Sequence, residues 1–174
     1  HEAGIVHRDL KLENFIFTSR DSDAEIKLID FGLSRGYLEG THMRQFVGTP
    51  YYMAPEVIKG DYTSACDIWS LGVLVYMMMS GRCPFGGDTD KAIVQNVLEG
   101  SPKFRRSTWS HASQTCIDFI KFLLTVDESK RPTATEALEH PWIKGTSDLQ
   151  TDDGDEEHHD GVDEKFIGHL KDYR

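Results

Sequence analysis

Within eight residues near the start of the chain stand His7, Arg8, Asp9, Lys11, Glu13 and Asn14. The triplet Asp30-Phe31-Gly32 begins sixteen residues after Asn14. Carboxylate and amide oxygens are hard donors suited to a hard divalent cation. A carboxylate can also take a proton from an incoming hydroxyl, and an ammonium two residues away can face an anionic group as a point charge. Such a set is equipped for positioning and charge neutralisation more than for covalent work.

Several elements must hold these groups. Ile5-Val6 lead into the loop. The runs Asn14–Thr18 and Glu25–Ile29 are short, β-branched and aromatic, and the polar residues Ser19 to Asp23 between them predict a hairpin turn. The resulting ribbon carries Asn14 at one end and Asp30 at the other. Residues 33–53 contain few core-type runs and predict a long functional loop closing at Ala54-Pro55-Glu56. Ser64 to Ser80 predicts a helix apolar on every side, hence buried, with Asp67 near its positive end and Gly81 and Pro84 as stop signals. Asp90 to Leu98 and Ser113 to Leu124 predict amphipathic helices. Thr133 with Glu136 predicts a capping box for a further helix, and His140-Pro141-Trp142 closes the region.

The chain has 174 residues, enough for one domain with a sizeable core, and a net charge of −10 that argues against a nucleic-acid partner. Six of those ten net negative charges fall in residues 144–174, where ten acids face four bases. Cys66, Cys83 and Cys116 show neither a disulfide framework nor zinc spacing; they predict buried reduced thiols and a cytoplasmic or nuclear setting. The longest uncharged run, Ile68 to Gly81, is too short to span a bilayer.

His7-Arg8-Asp9-Leu10-Lys11-Leu12-Glu13-Asn14 fills H-R-D-L-x-x-x-N at every fixed position, and D-F-G follows. The chain thereby resembles the eukaryotic protein kinase family over residues 1 to about 143. The resemblance implies a mainly α fold, the C-terminal lobe of a kinase, with a small β-ribbon carrying the catalytic and metal-binding loops. No G-x-G-x-x-G and no V-A-I-K occurs, so the smaller N-terminal lobe is expected to lie before residue 1 and to be absent here; the chain alone is expected to transfer little phosphate. The implied activity is transfer of the γ-phosphate of ATP to Ser or Thr hydroxyls of protein substrates. Asp9 would be the base, Asn14 and Asp30 the Mg2+ ligands, and Lys11 the cation on the transferring phosphate. Glu13, Ile16 and Ile29 would border the nucleotide, Ile16 beneath the adenine. Thr49 would hydrogen-bond Asp9 and Lys11, a Ser/Thr-kinase pattern; Asp67 would hold the catalytic-loop backbone; Arg131 would pair with Glu56; His7 would pack on Phe31. Arg8 would order residues 33–53 by pairing with a phosphate, for which Ser34 and Thr41 are candidate acceptors, or with Glu39 as a standing charge. Leu12 stands where many members carry Pro, a position that shapes the loop and holds no ligand.

Glu13 also implies a moderate preference for substrates with basic residues near the acceptor, moderated by Met77 where some members carry a second acid. The ending His140-Pro141-Trp142 is frequent in the calcium/calmodulin-dependent group. Residues 144–161 predict an acidic, solvated linker, since Asp152 to Glu157 lacks EF-hand spacing and His158-His159 alone makes no metal site. Residues 162–174 resume helical spacing with Val162, Phe166, Leu170 and Tyr173, the start of a regulatory, autoinhibitory helix by resemblance, or a plain amphipathic one. Calmodulin or an intramolecular EF-hand domain would then be the regulatory partner. Two other classes compete: a pseudokinase scaffold, against which the presence of Asp9, Asn14 and Asp30 counts, and a truncated binding module.

Overall fold

The computed structural model describes residues 1–21, 24–38 and 40–145. Ser22, Asp23, Glu39, the acidic stretch from 146 and the expected helix 162–174 lie outside the described residues. The described chain is helix-rich with two small sheets. In order it runs through β1 (Ile5–Val6), a 3-10 turn (Leu12–Asn14), β2 (Phe15–Phe17), β3 (Ile26–Leu28), β4 (Arg35–Gly36), a 3-10 turn (Pro50–Tyr52), α1 (Pro55–Lys59) and α2 (Ala65–Ser80). It continues with α3 (Asp90–Glu99), α4 (Arg106–Trp109), α5 (Gln114–Leu123), a 3-10 turn (Glu128–Lys130), α6 (Ala134–Leu138) and α7 (Pro141–Lys144).

The expected ribbon forms, with β2 and β3 antiparallel and Phe15 opposite Leu28, though each strand is only three residues long. A second antiparallel pair was not anticipated: β1 joins β4, with Ile5 opposite Gly36. Two-residue strands carry no readable alternation, so nothing local marks them. The segment 33–53 is also less of a free loop than its composition implies, because Met43, Tyr52 and Met53 are buried.

α2 is the post of the molecule. Cys66 to Trp69 and Val73 to Met77 are all buried, and Gly81 caps the helix in the left-handed region at φ 66°. Trp69 is wholly inside, stacked on Phe85 with ring centroids 5.3 Å apart. α5 lays Cys116, Phe119, Ile120 and Leu123 against it, the i, i+3, i+4, i+7 pattern of one buried face. The two helices come this close because residue 72 is glycine: a Cβ there would sit 2.8 to 2.9 Å from Leu123 and Leu124 side-chain atoms. Cys66 and Cys116 are buried thiols as expected, while Cys83 is only half-buried; all three are free.

Arg131 ties the C-terminal helices to the start of the helical body. Its guanidinium is fully buried, forms a two-pronged ion pair with Glu56 (Nη2 to Oε2 2.9 Å), and donates to the carbonyls of Thr125 and Ala65. The capping box on α6 is present, with the Glu136 amide donating to Thr133 and the Glu136 carboxylate accepting from the Thr133 amide. Removing one partner of a buried pair leaves the other charge stranded. Arg131→Ala is therefore expected to lower unfolding free energy by about 3–5 kcal/mol, read by denaturant titration; a loss below about 1 kcal/mol would contradict the pair's structural role.

Candidate active site

The loop after β1 takes its shape from one buried carboxylate. Asp67, in the first turn of α2, accepts the backbone N–H of His7 at 2.7 Å and of Arg8 at 2.8 Å, and its Oδ2 also contacts His1 Nε2 at 3.0 Å. Burial pushes the Asp67 carboxyl above its ordinary value, against the lowering effect of those two backbone donors. Hydrogen bonds to a charged acceptor contribute roughly 1.5–3 kcal/mol each. They hold Arg8 at φ 70°, left-handed backbone that a side-chain-bearing residue avoids by about 1–3 kcal/mol. The turn at Arg8 re-aims the next residue, Asp9, toward segment 33–53.

Asp9 is buried, and both its carboxylate oxygens have donors. Lys11 Nζ lies 2.6 Å from Oδ2 and Thr49 Oγ1 donates to Oδ1 at 2.7 Å. Burial alone pushes the Asp9 carboxyl up, but the hydrogen bonds from Lys11 and Thr49 outweigh it and hold the group below its ordinary value. The Asp9 bond raises Lys11 in turn, against a smaller effect of burial, with further help from the charges of Glu13 and Asp30. Thr49 and Lys11 meet through the Asp9 carboxylate, each on its own oxygen.

Thr49 reaches Asp9 because the residue before it is glycine. Gly48 sits at φ 112°, and a Cβ there would lie 2.7 Å from the Arg8 carbonyl oxygen. The two segments leave a cavity of only about 10 Å³ between them, bordered by Arg8, Asp9, Gly48 and Thr49.

Asn14 is buried at the end of the first 3-10 turn, and its side-chain nitrogen donates to the Asp9 carbonyl at 2.9 Å. That leaves its amide oxygen as the free end. The Asn14 carbonyl accepts from Ile29 N at 2.9 Å, extending the ribbon register so that Asp30 follows directly. Asp30 has left-handed backbone, φ 62°, and its Oδ1 accepts from Gly32 N at 3.2 Å. The ribbon thus brings Asn14 and Asp30 to one end of the site, beside Lys11. One carboxylate and one amide oxygen are too few to cage a cation alone. Among the described residues there is no group of three His, Cys, Asp or Glu side chains that could hold a metal. The donor set does fit Mg2+, which keeps water or phosphate in most of its positions.

His7 holds the loop and has no free nitrogen. Its Nδ1 accepts from Asp9 N at 3.3 Å, so Nε2 carries the proton and faces Ile29 O at 3.3 Å. Its ring meets Phe31 edge-on, centroids 5.1 Å apart. Glu13 is exposed, and Ile16 and Ile29 show 44% and 38% of their surface on the ribbon, next to the more exposed Phe17 and Ile26. Arg8 donates to Leu33 O, Gln45 Oε1 and Tyr62 Oη, all uncharged; Glu39 lies outside the described residues. Sequence reasoning missed Gly48, whose only signal was its place before Thr49-Pro50, and Tyr62, which carries no local signal.

The sequence that folds this way is similar to known proteins. The protein kinase domain family matches residues 1–143. Calcium-dependent protein kinase 9 of Oryza sativa subsp. japonica is 43% identical over 143 residues, 82% of this chain and 25% of that protein. CDPK-related kinase 4 of Arabidopsis thaliana is 47% identical over 144 residues, 83% of this chain and 24% of that protein. Calcium/calmodulin-dependent serine/threonine-protein kinase 1 of Oryza sativa subsp. japonica is 43% identical over 150 residues, 86% of this chain and 25% of that protein. The chain spans about a quarter of the length of these relatives. No helix among the described residues is long and apolar enough to cross a membrane. With a buried acid shaping the loop, a doubly bonded carboxylate at its tip and a family match over 143 of 174 residues, the chain belongs to the protein kinase domain family.

Proposed function

We propose that the chain is the catalytic-loop region of a protein serine/threonine kinase that uses ATP and Mg2+. The observation that carries the reading is the Asp9 carboxylate, kept ionised by Lys11 and Thr49 at 2.6 and 2.7 Å. An ionised carboxylate at a loop tip can accept the proton of a Ser or Thr hydroxyl as that oxygen attacks. Lys11 lies beside it, and its charge would face the transferred phosphoryl oxygens. Asn14 and Asp30 would hold the cation by their side-chain oxygens, and the exposed Ile16 and Ile29 would border the nucleotide, Ile16 beneath the base, with Glu13 beside it. When bound, Mg2+ and ATP supply the phosphoryl group and neutralise charge on its oxygens.

The Ser/Thr acceptor is supported by the pairing of Lys11 and Thr49 on one carboxylate and by the printed name of one relative, a serine/threonine-protein kinase. Calcium-linked regulation is supported by the names of relatives called calcium-dependent or calcium/calmodulin-dependent, and it makes calmodulin or an EF-hand domain of the same chain the regulatory partner. The exposed Glu13 supports a preference for substrates with Arg or Lys near the acceptor.

Two outcomes check this reading. In the full-length enzyme, Asp9→Asn should lower phosphate transfer to a Ser peptide by about 10²–10⁴-fold, and chelating Mg2+ should abolish it. A wild-type enzyme that phosphorylates no Ser or Thr peptide would leave only a binding scaffold. The second outcome concerns charge. Because two donors depress the Asp9 carboxyl below its ordinary value of 3.8, their stabilisation is complete above that value and is lost as pH falls through the lower folded one. Thr49→Val removes one donor, so the Asp9 carboxyl should titrate at higher pH in ¹³C NMR. Lys11→Ala should move it further, since the Lys11 bond is the larger lowering influence. No movement in either variant would contradict the account.

A further inference from the structure

Segment 40–49 delivers Thr49 to Asp9, yet no regular strand or helix holds it. Its anchorage is the turn Asp61-Tyr62 that precedes α2. Met43 and Tyr62 form an isolated antiparallel bridge, Met43 N to Tyr62 O at 2.7 Å and Tyr62 N to Met43 O at 3.0 Å. On either side of Met43, His42 Nδ1 and Arg44 Nε face Asp61 Oδ1 at 3.1 and 3.9 Å, but these side chains are more than half exposed and such pairs hold little.

The Tyr62 side chain is a different matter. The residue is wholly buried, and its hydroxyl donates to the Gln45 carbonyl at 2.7 Å while accepting from Arg8 Nη1 at 3.4 Å. Arg8 completes the joint by donating Nε to Leu33 O at 2.6 Å and Nη1 to Gln45 Oε1 at 3.3 Å. A phenol hydroxyl has one hydrogen and two lone pairs, so this single oxygen ties the core, the loop residue before the base and the segment that carries Thr49 together. Three residues separate Gln45 from Thr49, with Gly48 among them pressed on the Arg8 carbonyl. A displacement of about 1 Å, if passed along the segment to Thr49, would stretch its 2.7 Å bond to Asp9 beyond hydrogen-bond range.

We propose that Tyr62 is a positioning residue for phosphoryl transfer: its hydroxyl sets the path of residues 43–49 against Arg8, and through that path the place where Thr49 meets Asp9. The proposal rests on the kinase reading above. It is tested with Tyr62→Phe in the full-length enzyme, which keeps the buried ring and deletes the hydroxyl. Ile120→Val, a comparable trimming of the core in α5, is the control for loss of packing elsewhere. Tyr62→Phe should lower kcat for a Ser peptide by about fivefold to tenfold, the worth of one hydrogen bond, with KM for ATP held within about twofold. Amide exchange across residues 44–49 should quicken by roughly tenfold, and Ile120→Val should leave both readings as in wild type. Unchanged exchange in Tyr62→Phe, or the same changes in Ile120→Val, overturns the proposal. Exchange is read without activity, so a wild-type enzyme that transfers no phosphate overturns the kinase reading instead.

Discussion

One buried carboxylate accepting two consecutive backbone N–H groups is the constraint from which the site descends. Asp67 is paid for by the helix it stands on: α2 is buried along most of its length and cannot move without opening the core. Burial by itself disfavours an ionised acid. The His7 and Arg8 amides offset part of that cost, and in doing so they fix the backbone of both residues. Arg8 is held left-handed, and the chain direction at Asp9 follows. Strain at one residue is thereby stored by hydrogen bonds at another, a trade in which the rigid partner decides the geometry.

Three separate stretches then converge on Asp9. The loop supplies Lys11 from two residues away, segment 33–53 supplies Thr49 from forty residues away, and the ribbon brings Asp30 beside Asn14. The local electrostatics agree with one another. Donors lower Asp9, its charge raises Lys11, and the carboxylates of Glu13 and Asp30 raise Lys11 further. At the far side of the body the Arg131–Glu56 pair fastens the turn after α5 to α1, which begins where the Thr49 segment ends. The Arg131–Glu56 pair thus holds the chain just beyond that segment, and the Tyr62 hydroxyl holds Gln45 within it.

How much of this was legible in the residues depended on range. The loop from His7 to Asn14 could be read because its members are neighbours and their spacing is itself the signal. The α2 helix could be read because its almost wholly apolar stretch from Ile68 to Met79 leaves one reading for a buried element. The α6 cap could be read because Thr133 and Glu136 satisfy each other three residues apart. The β1–β4 pair joins residues twenty-nine and thirty-one positions apart through strands of two residues, too short for any alternation to show. Tyr62 and Met43 met for the same reason without a trace in composition: each is a lone apolar residue among polar ones, and only the folded path makes them partners. The Asp67 contact was expected from family resemblance; no spacing rule links residues 7 and 67.

The most direct measurement is the crystal structure of the Asp67→Asn chain, in which one of the two acceptor oxygens becomes a donor. If Asp67 shapes the loop, Arg8 should relax out of the left-handed region and Asp9 Oδ1 should lose its 2.7 Å contact with Thr49. A loop that superimposes on the native one, with Arg8 still near φ 70° and Thr49 still bonded to Asp9, would contradict the account.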